Sequence, residues 1–145
     1  MKIVVNRCKG SFSLSARAVA RLAELNGQKA YFFSNGTEIT LDDTDFYCWY
    51  ARNTNNPTRY PPLNVFSMLT REERLALSKA RAKETLEQAP KDRADPKLVQ
   101  VVEELGGAAG GSDSKLEVIE IPDGIEWEIL ADGGYETVHE KHRSW

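Results

Sequence analysis

The residues of this 145-residue chain best suited to chemistry fall in three places. Near the C-terminus, His139 and His142 stand three apart, with Glu136 and Glu140 interleaved and Arg143 and Trp145 following. Imidazole titrates near neutrality, so either histidine can serve as a general acid or base. Arg143 offers a phosphate partner and Trp145 a stacking surface. On a helix the histidines would share a face, whereas on a strand they would oppose each other. The alternating run Tyr135-Glu136-Thr137-Val138-His139-Glu140 reads as β structure, so no metal site is expected there. The plainer reading of the same groups is a tail tied down by Trp145 as an apolar latch.

The second place is residues 42–68, where hydrophobic periodicity fails and the chain mixes Tyr47, Trp49, Tyr50, Arg52, Arg59 and Tyr60 with four asparagines and three prolines. Rings and guanidinium planes stack on nucleobases, arginine forks hold phosphates, and asparagines read polar edges. Tyr50, Arg52, Arg59 and Tyr60 are therefore ligand-binding candidates. The competing reading is a long loop whose rings cover a sheet, acting as a lid or an insertion. Asp42, Asp43 and Asp45 lack the ligand spacing of a hard-cation loop and read as a solvated acidic turn.

The third place is Arg7-Cys8-Lys9-Gly10-Ser11-Phe12-Ser13, between a strand and a helix. Unpaired amides at a helix N-terminus attract anions, so Arg7, Lys9, Gly10 and Ser13 form a candidate phosphate site. Gly10 stands without the dinucleotide fingerprint or the lysine-bearing phosphate loop, and no cofactor is expected. A tight strand-to-helix turn is the plainer alternative. Cys8 and Cys48 are too few for a disulfide framework or a thiolate zinc site, and Cys8 reads as a buried structural thiol.

The elements that must position these groups are legible in part. Lys2-Ile3-Val4-Val5-Asn6 holds three consecutive β-branched residues and predicts a buried strand. Leu14, Ala18, Leu22 and Leu25 form an apolar stripe for a helix begun by Ser13 or Ser15 and closed by Asn26-Gly27. The runs 30–34 and 38–41 flank Asn35-Gly36, a hairpin signature. Thr70-Arg71-Glu72-Glu73 is a capping box that opens a helix running to about Glu87, and its poor apolar stripe predicts a charged arm over 70–88. Asp95-Pro96 opens another helix, lined by Leu98, Val101, Val102 and Leu105 and ended by Gly106. Residues 106–114 read as a flexible glycine-rich connector. Leu116 to Pro122 reads as a strand covered on both sides, and the stretches around Trp127 and Tyr135 to Glu140 read as strands paired across Asp132-Gly133-Gly134.

Residues 1–41 carry six Lys and Arg against two acids, while 115–145 carry three against eight, within a net charge of −3. Duplex DNA binding draws on a clustered basic stripe and is excluded as an expectation. No apolar run approaches the ~18 residues of a membrane span, and a cytoplasmic protein is expected.

Several blocks in order resemble a family of small, mostly uncharacterised bacteriophage and prophage proteins. They are Lys2 to Cys8 with Gly10, Phe12, Leu14 and Ser15; Arg93-Ala94-Asp95-Pro96 with Leu98-Val99 and Val101 to Gly106; Leu116 to Pro122 with Trp127-Glu128-Ile129; and Glu140-Lys141-His142-Arg143-Ser144-Trp145. The chain departs at Ser11, at Ala131-Asp132-Gly133-Gly134 and through its middle third. The resemblance implies a phage-linked α/β protein in a host cytoplasm and supplies no reaction. The combined expectation is a single α+β or small α/β domain over 1–145, with a mixed sheet built from the N-terminal strand, the hairpin and the C-terminal strands. The expected role is a binding protein that sequesters a small nucleotide-type signal or inhibits a host defence protein. A nucleotide-acting hydrolase or transferase using His139 or His142 with Arg143, and a plain protein-interaction module, are the alternatives. Self-association of the chain also stands among the expectations.

Overall fold

A computed structural model of the chain describes residues 1–141. His142, Arg143 and Trp145 lie outside the described residues. In chain order the elements are β1 (Lys2–Asn6), α1 (Ala16–Leu25), β2 (Tyr31–Ser34), β3 (Thr37–Ile39), β4 (Tyr50–Arg52), α2 (Leu63–Phe66), α3 (Arg71–Glu84), β5 (Thr85–Leu86), α4 (Pro96–Leu105), β6 (Leu116–Glu120), β7 (Trp127–Asp132) and β8 (Tyr135–Glu140). This is an α+β fold. The strands group into three small antiparallel sheets, ordered β1-β6, β3-β2-β4-β5 and β7-β8, in place of the expected mixed sheet. No described helix is long and apolar enough to cross a membrane. Met1–Asn26 with Gln88–Trp145 form one compact unit, and Gly27–Glu87 form a second.

In the first unit, β1 supplies Ile3, Val4 and Val5, all fully buried, and pairs with β6 from Lys2↔Glu120 to Asn6↔Leu116. Helix α4 brings Leu98, Val99, Val101 and Val102 into the same core, and α1 brings Ala16, Ala18, Val19 and Ala23. The buried residues of α1 are Ala16, Ala18, Val19 and Ala23, so its small residues face the core while Leu22 and Leu25 of the expected stripe are only half-buried; Ser15 is the N-cap and accepts from the Ala18 amide. Asp95 caps α4 and Pro96 occupies its first turn. Each large aliphatic side chain removed from water contributes roughly 1.5–3 kcal/mol, so this layer holds the unit together.

Residues 106–114 do not behave as a loose connector. Ala109 is fully buried, Leu14 and Gly110 form a β-bridge, and the Gly111 amide donates to the Ser13 carbonyl at 2.9 Å. A Cβ on Gly110 or Gly111 would run into Ser114 or Ser13, so glycine here permits close packing. Composition suggested flexibility because it does not reveal which backbone lies alongside.

A buried polar hub closes this unit. Asn6 is fully buried, and its Nδ2 donates to the carbonyls of Cys8, Gly10 and Gly134 at 3.1, 2.9 and 3.0 Å. Its Oδ1 accepts from the amides of Cys8 and Lys115. Beside it, Glu136 accepts from the Asn6 amide and forms a two-pronged ion pair with Arg93, at 2.7 and 3.1 Å. The Arg93 guanidinium also lies over the Phe12 ring, 3.5 Å from its centroid.

In the second unit, β2 and β3 form the expected hairpin with Ser34 opposite Thr37, and Asn35 and Gly36 both take positive φ, as a two-residue turn of this hand requires. Residues 42–68 are more than a loop: they contain a 3-10 turn at Asp42–Asp45, the strand β4 and the short α2. Short segments escape periodicity analysis because three or four residues cannot display a period. Helix α3 starts with the capping box on Thr70 and Glu73, as expected, but gives way at Thr85 to β5, which pairs with β4.

Candidate functional site

Strand β4 begins the site. Side chains alternate across a strand, so Tyr50 and Arg52 share one face and Ala51, nearly fully buried, takes the other. On the shared face Tyr50 lies opposite Phe33 and Arg52 opposite Tyr31. Tyr50 stacks on Phe33 with centroids 5.6 Å apart, and the Arg52 guanidinium sits 4.8 Å from the Tyr50 ring centre. Arg52 Nη1 also donates to its neighbour's carbonyl, that of Ala51.

The chain then turns back through Pro57 and Thr58. The carboxylate of Glu84, in the last turn of α3, accepts from the Thr58 amide at 2.8 Å and from its hydroxyl at 2.6 Å. Those bonds, the hydroxyl's foremost, hold the Glu84 carboxyl below its usual range, with a smaller contribution from Arg52 and Arg81. Asn53 is tied to the same helix end through the carbonyls of Lys83 and Glu84. Arg59 reaches the hairpin turn and donates to the Gly36 carbonyl at 3.1 Å. Tyr60 bonds Ser78 through its hydroxyl, meets Phe66 edge-on, and carries Arg81 over its ring at 4.4 Å.

The result is a hollow of about 180 Å³ lined by Gly36, Tyr50, Arg52, Pro57, Thr58, Arg59, Tyr60 and Arg81. Tyr50, Arg52, Arg59 and Tyr60, the four candidates from the central stretch, thus line one concavity. Arg81 joins them and was missed in the sequence. It lies in a helix whose many charges made any one of them look like a solvated face. Its spacing from Glu84 places both on the α3 side turned toward the site, and only knowledge of what packs there could have singled it out.

Arg52, Arg59 and Arg81 set three positive charges around the hollow, with the Glu84 carboxylate as the negative group behind it. Guanidinium groups donate hydrogen bonds and hold charge but do not exchange protons at neutral pH. Tyr60, 44% exposed, adds a ring that solvent reaches. Such a lining presents positive charge, hydrogen-bond donors and a ring face on one concavity.

The other candidates have occupations within their own unit. Arg7 donates to the Glu136 carbonyl at 2.8 Å, approaches Glu117 at 3.6 Å and lies over the Tyr135 ring. The expected anion-binding amides are taken up by the protein itself: Ser13 donates to Ser114 Oγ, Leu14 to the Gln88 carbonyl and Ser15 to the Ala109 carbonyl. Gly10 is pressed against Asp113 and Gly134, and Lys9 is exposed. The turn is accordingly a tight structural joint, the plainer of its two readings. His139 is exposed on β8, where its Nε2 lies 2.8 Å from Thr137 Oγ1, while His142, Arg143 and Trp145 lie outside the described residues.

Among the described residues no cluster of three or more His, Cys, Asp or Glu side chains is placed to hold a metal ion. In the acidic turn, Asp43 accepts from the Thr40 amide, and this bond lowers its carboxyl's pKa. Cys8 is half-buried and Cys48 exposed, both free. Comparison of the chain with protein families, with curated proteins and with solved structures found no match.

Proposed function

We propose that the Gly27–Glu87 unit binds a small nucleotide-type anion in the hollow between β4 and α3, and that the chain acts by sequestering this ligand. The observation that carries the reading is the convergence of Arg52, Arg59 and Arg81 with Tyr50 and Tyr60 on one concavity. Arginine forks match phosphate geometry, and a ring or guanidinium plane accepts a base by stacking. The sequestering role comes from the phage resemblance read in the chain's ends, in which a phage product would withdraw a host signal; the hollow itself lies in the middle third, outside that resemblance.

Size narrows the ligand. Pockets for whole small molecules span roughly 300–1,000 Å³, and this one is about 180 Å³. It therefore engages one phosphate with one ring, and the remainder of a larger nucleotide lies across the rim. Titration calorimetry with mononucleotides, cyclic nucleotides, ADP-ribose and inorganic phosphate tests the reading. Nucleotides should bind more tightly than phosphate, by about fivefold or more given ~1–3 kcal/mol for one stacked base. Absence of binding by every one of these ligands refutes it.

A further inference from the structure

We infer that the ligand of the hollow is a short single-stranded oligonucleotide, and that Phe66 and Arg74 form a second station for a further base and phosphate of the same strand. The inference rests on the reading of the hollow as a nucleotide site and adds the class of nucleotide. Three contacts carry it. Tyr60, which lines the hollow, meets Phe66 edge-on with ring centres 5.5 Å apart. The Arg74 guanidinium lies over Phe66, 5.0 Å from the ring centre, and repeats the arrangement of Arg81 over Tyr60 at 4.4 Å. A pair of ring and guanidinium thus recurs beside the first, and both pairs belong to the Gly27–Glu87 unit.

Helix α3 sets the spacing of the two stations. Arg74 and Arg81 are two turns apart, so at about 100° per residue they lie on one side of the helix, about 10 Å from each other along its axis. Ser78 falls on the same side between them and meets the Tyr60 hydroxyl at 3.2 Å. No acid of α3 falls within the arc that holds Arg74, Ser78 and Arg81, whereas Glu72, Lys79 and Lys83 form a separate exposed stripe. The side turned toward Tyr60 and Phe66 is therefore positive where a phosphate chain would run.

Arg74 is also held ready for a ligand. Its Nη2 donates to the Ser67 carbonyl at 3.0 Å while Phe66 supports its plane, and the residue stays exposed. A side chain ordered in advance loses less entropy on binding. Proteins that hold single strands combine cations along the backbone with rings on which bases stack, and every base has a face to stack. Phosphates of a stacked strand stand roughly 3.4 Å apart, so a separation of about 10 Å corresponds to about three nucleotide steps. A mononucleotide in the hollow does not span that distance, whereas a tetranucleotide does. A duplex is a poor fit because its bases are already paired and stacked.

Titration calorimetry of the full chain with uridine 5′-monophosphate and with 5′-phosphorylated tetrauridylate tests the inference. The tetranucleotide should bind at least about twentyfold more tightly, beyond the factor of about four that its equivalent registers supply, because a further stacked base and a further charge-assisted phosphate contact are gained. Arg74→Ala should reduce that advantage to about fourfold or less and leave the affinity for the mononucleotide within about twofold. Lys79→Ala, on the other stripe, should preserve the advantage. A mononucleotide that binds as well as the tetranucleotide overturns the inference and leaves the hollow as a mononucleotide site. An advantage that survives Arg74→Ala, or one that Lys79→Ala removes equally, also overturns it. Absence of binding by both ligands overturns the inference together with the reading it rests on.

Discussion

Arg81 lies 4.4 Å above the ring of Tyr60, and this contact joins helix α3 to the turn that follows β4. It places a third guanidinium beside Arg52 and Arg59 on the lining of the hollow and packs it on the Tyr60 ring. Its loss should affect binding through charge and through ring position together. Arg81→Ala is expected to weaken nucleotide affinity by about tenfold or more, and Arg81→Lys should recover only part, because an ammonium lacks the flat fork. Titration calorimetry on the two variants checks this. Equal affinities for both variants and the parent chain would show that the contact is purely structural.

Acid should loosen the wall of the hollow. The Glu84 carboxyl titrates below its ordinary value of 4.5 because Thr58 donates to its ionised form. A depressed folded pKa contributes stability that is present above the unfolded value and lost as pH falls through the folded one. Stability of the Gly27–Glu87 unit should therefore decline as pH drops below about 4.5. Glu84→Gln should flatten that decline. Urea titrations at stepped pH, followed by Trp49 fluorescence, read the effect, and an unchanged slope in the variant would contradict the assignment.

The Asn6 hub predicts a large and local stability loss. Asn6→Ala strands the Cys8 and Lys115 amides and the carbonyls of Cys8, Gly10 and Gly134. Unsatisfied buried groups cost ~1–3 kcal/mol each, with partial relief from water, so the variant should lose about 3 kcal/mol or more. Chemical denaturation followed at Trp127 measures it. A loss below about 1 kcal/mol would mean that the hub is dispensable.

The Arg93–Glu136 pair should show strong coupling. Both side chains are mostly buried, so removing one partner leaves a charge without its mate, at ~3–5 kcal/mol. Glu136→Gln and Arg93→Met should each destabilise strongly, and the double variant should cost less than their sum. A double-mutant cycle in urea yields the coupling, and additive losses would refute a direct pairing.

Where the physics is local, the sequence announces the structure. Thr70 with Glu73, Asp95 with Pro96, and Asn35 with Gly36 each determine an end or a turn through neighbouring atoms, and each feature is found where expected. The exposed stripe of α3 likewise follows from its weak apolar pattern. Long-range contacts were hidden. Asn6 ends the first expected strand, Arg93 stands just ahead of the Asp95-Pro96 helix start and Glu136 lies in the last alternating run, yet the three meet across the fold. The same difference explains the site. Tyr50, Arg52, Arg59 and Tyr60 were found by residue type, but Arg81 depends on which face of α3 turns inward. Arg7 and Ser13 showed the right chemistry for anions, but their donors meet Glu136 and Ser114.

The central claim is that the hollow itself binds the ligand, and Arg59 tests it directly because, among the described residues, its side chain is held by a hydrogen bond to the Gly36 carbonyl at the hairpin turn. Nucleotide titration followed by amide NMR shifts, compared between the parent chain and Arg59→Ala, is the decisive measurement. The account predicts saturable shifts centred on Gly36, Tyr50, Thr58 and Tyr60 in the parent and at least about a tenfold weaker curve in the variant. Shifts located elsewhere, or equal curves for the two proteins, would contradict it.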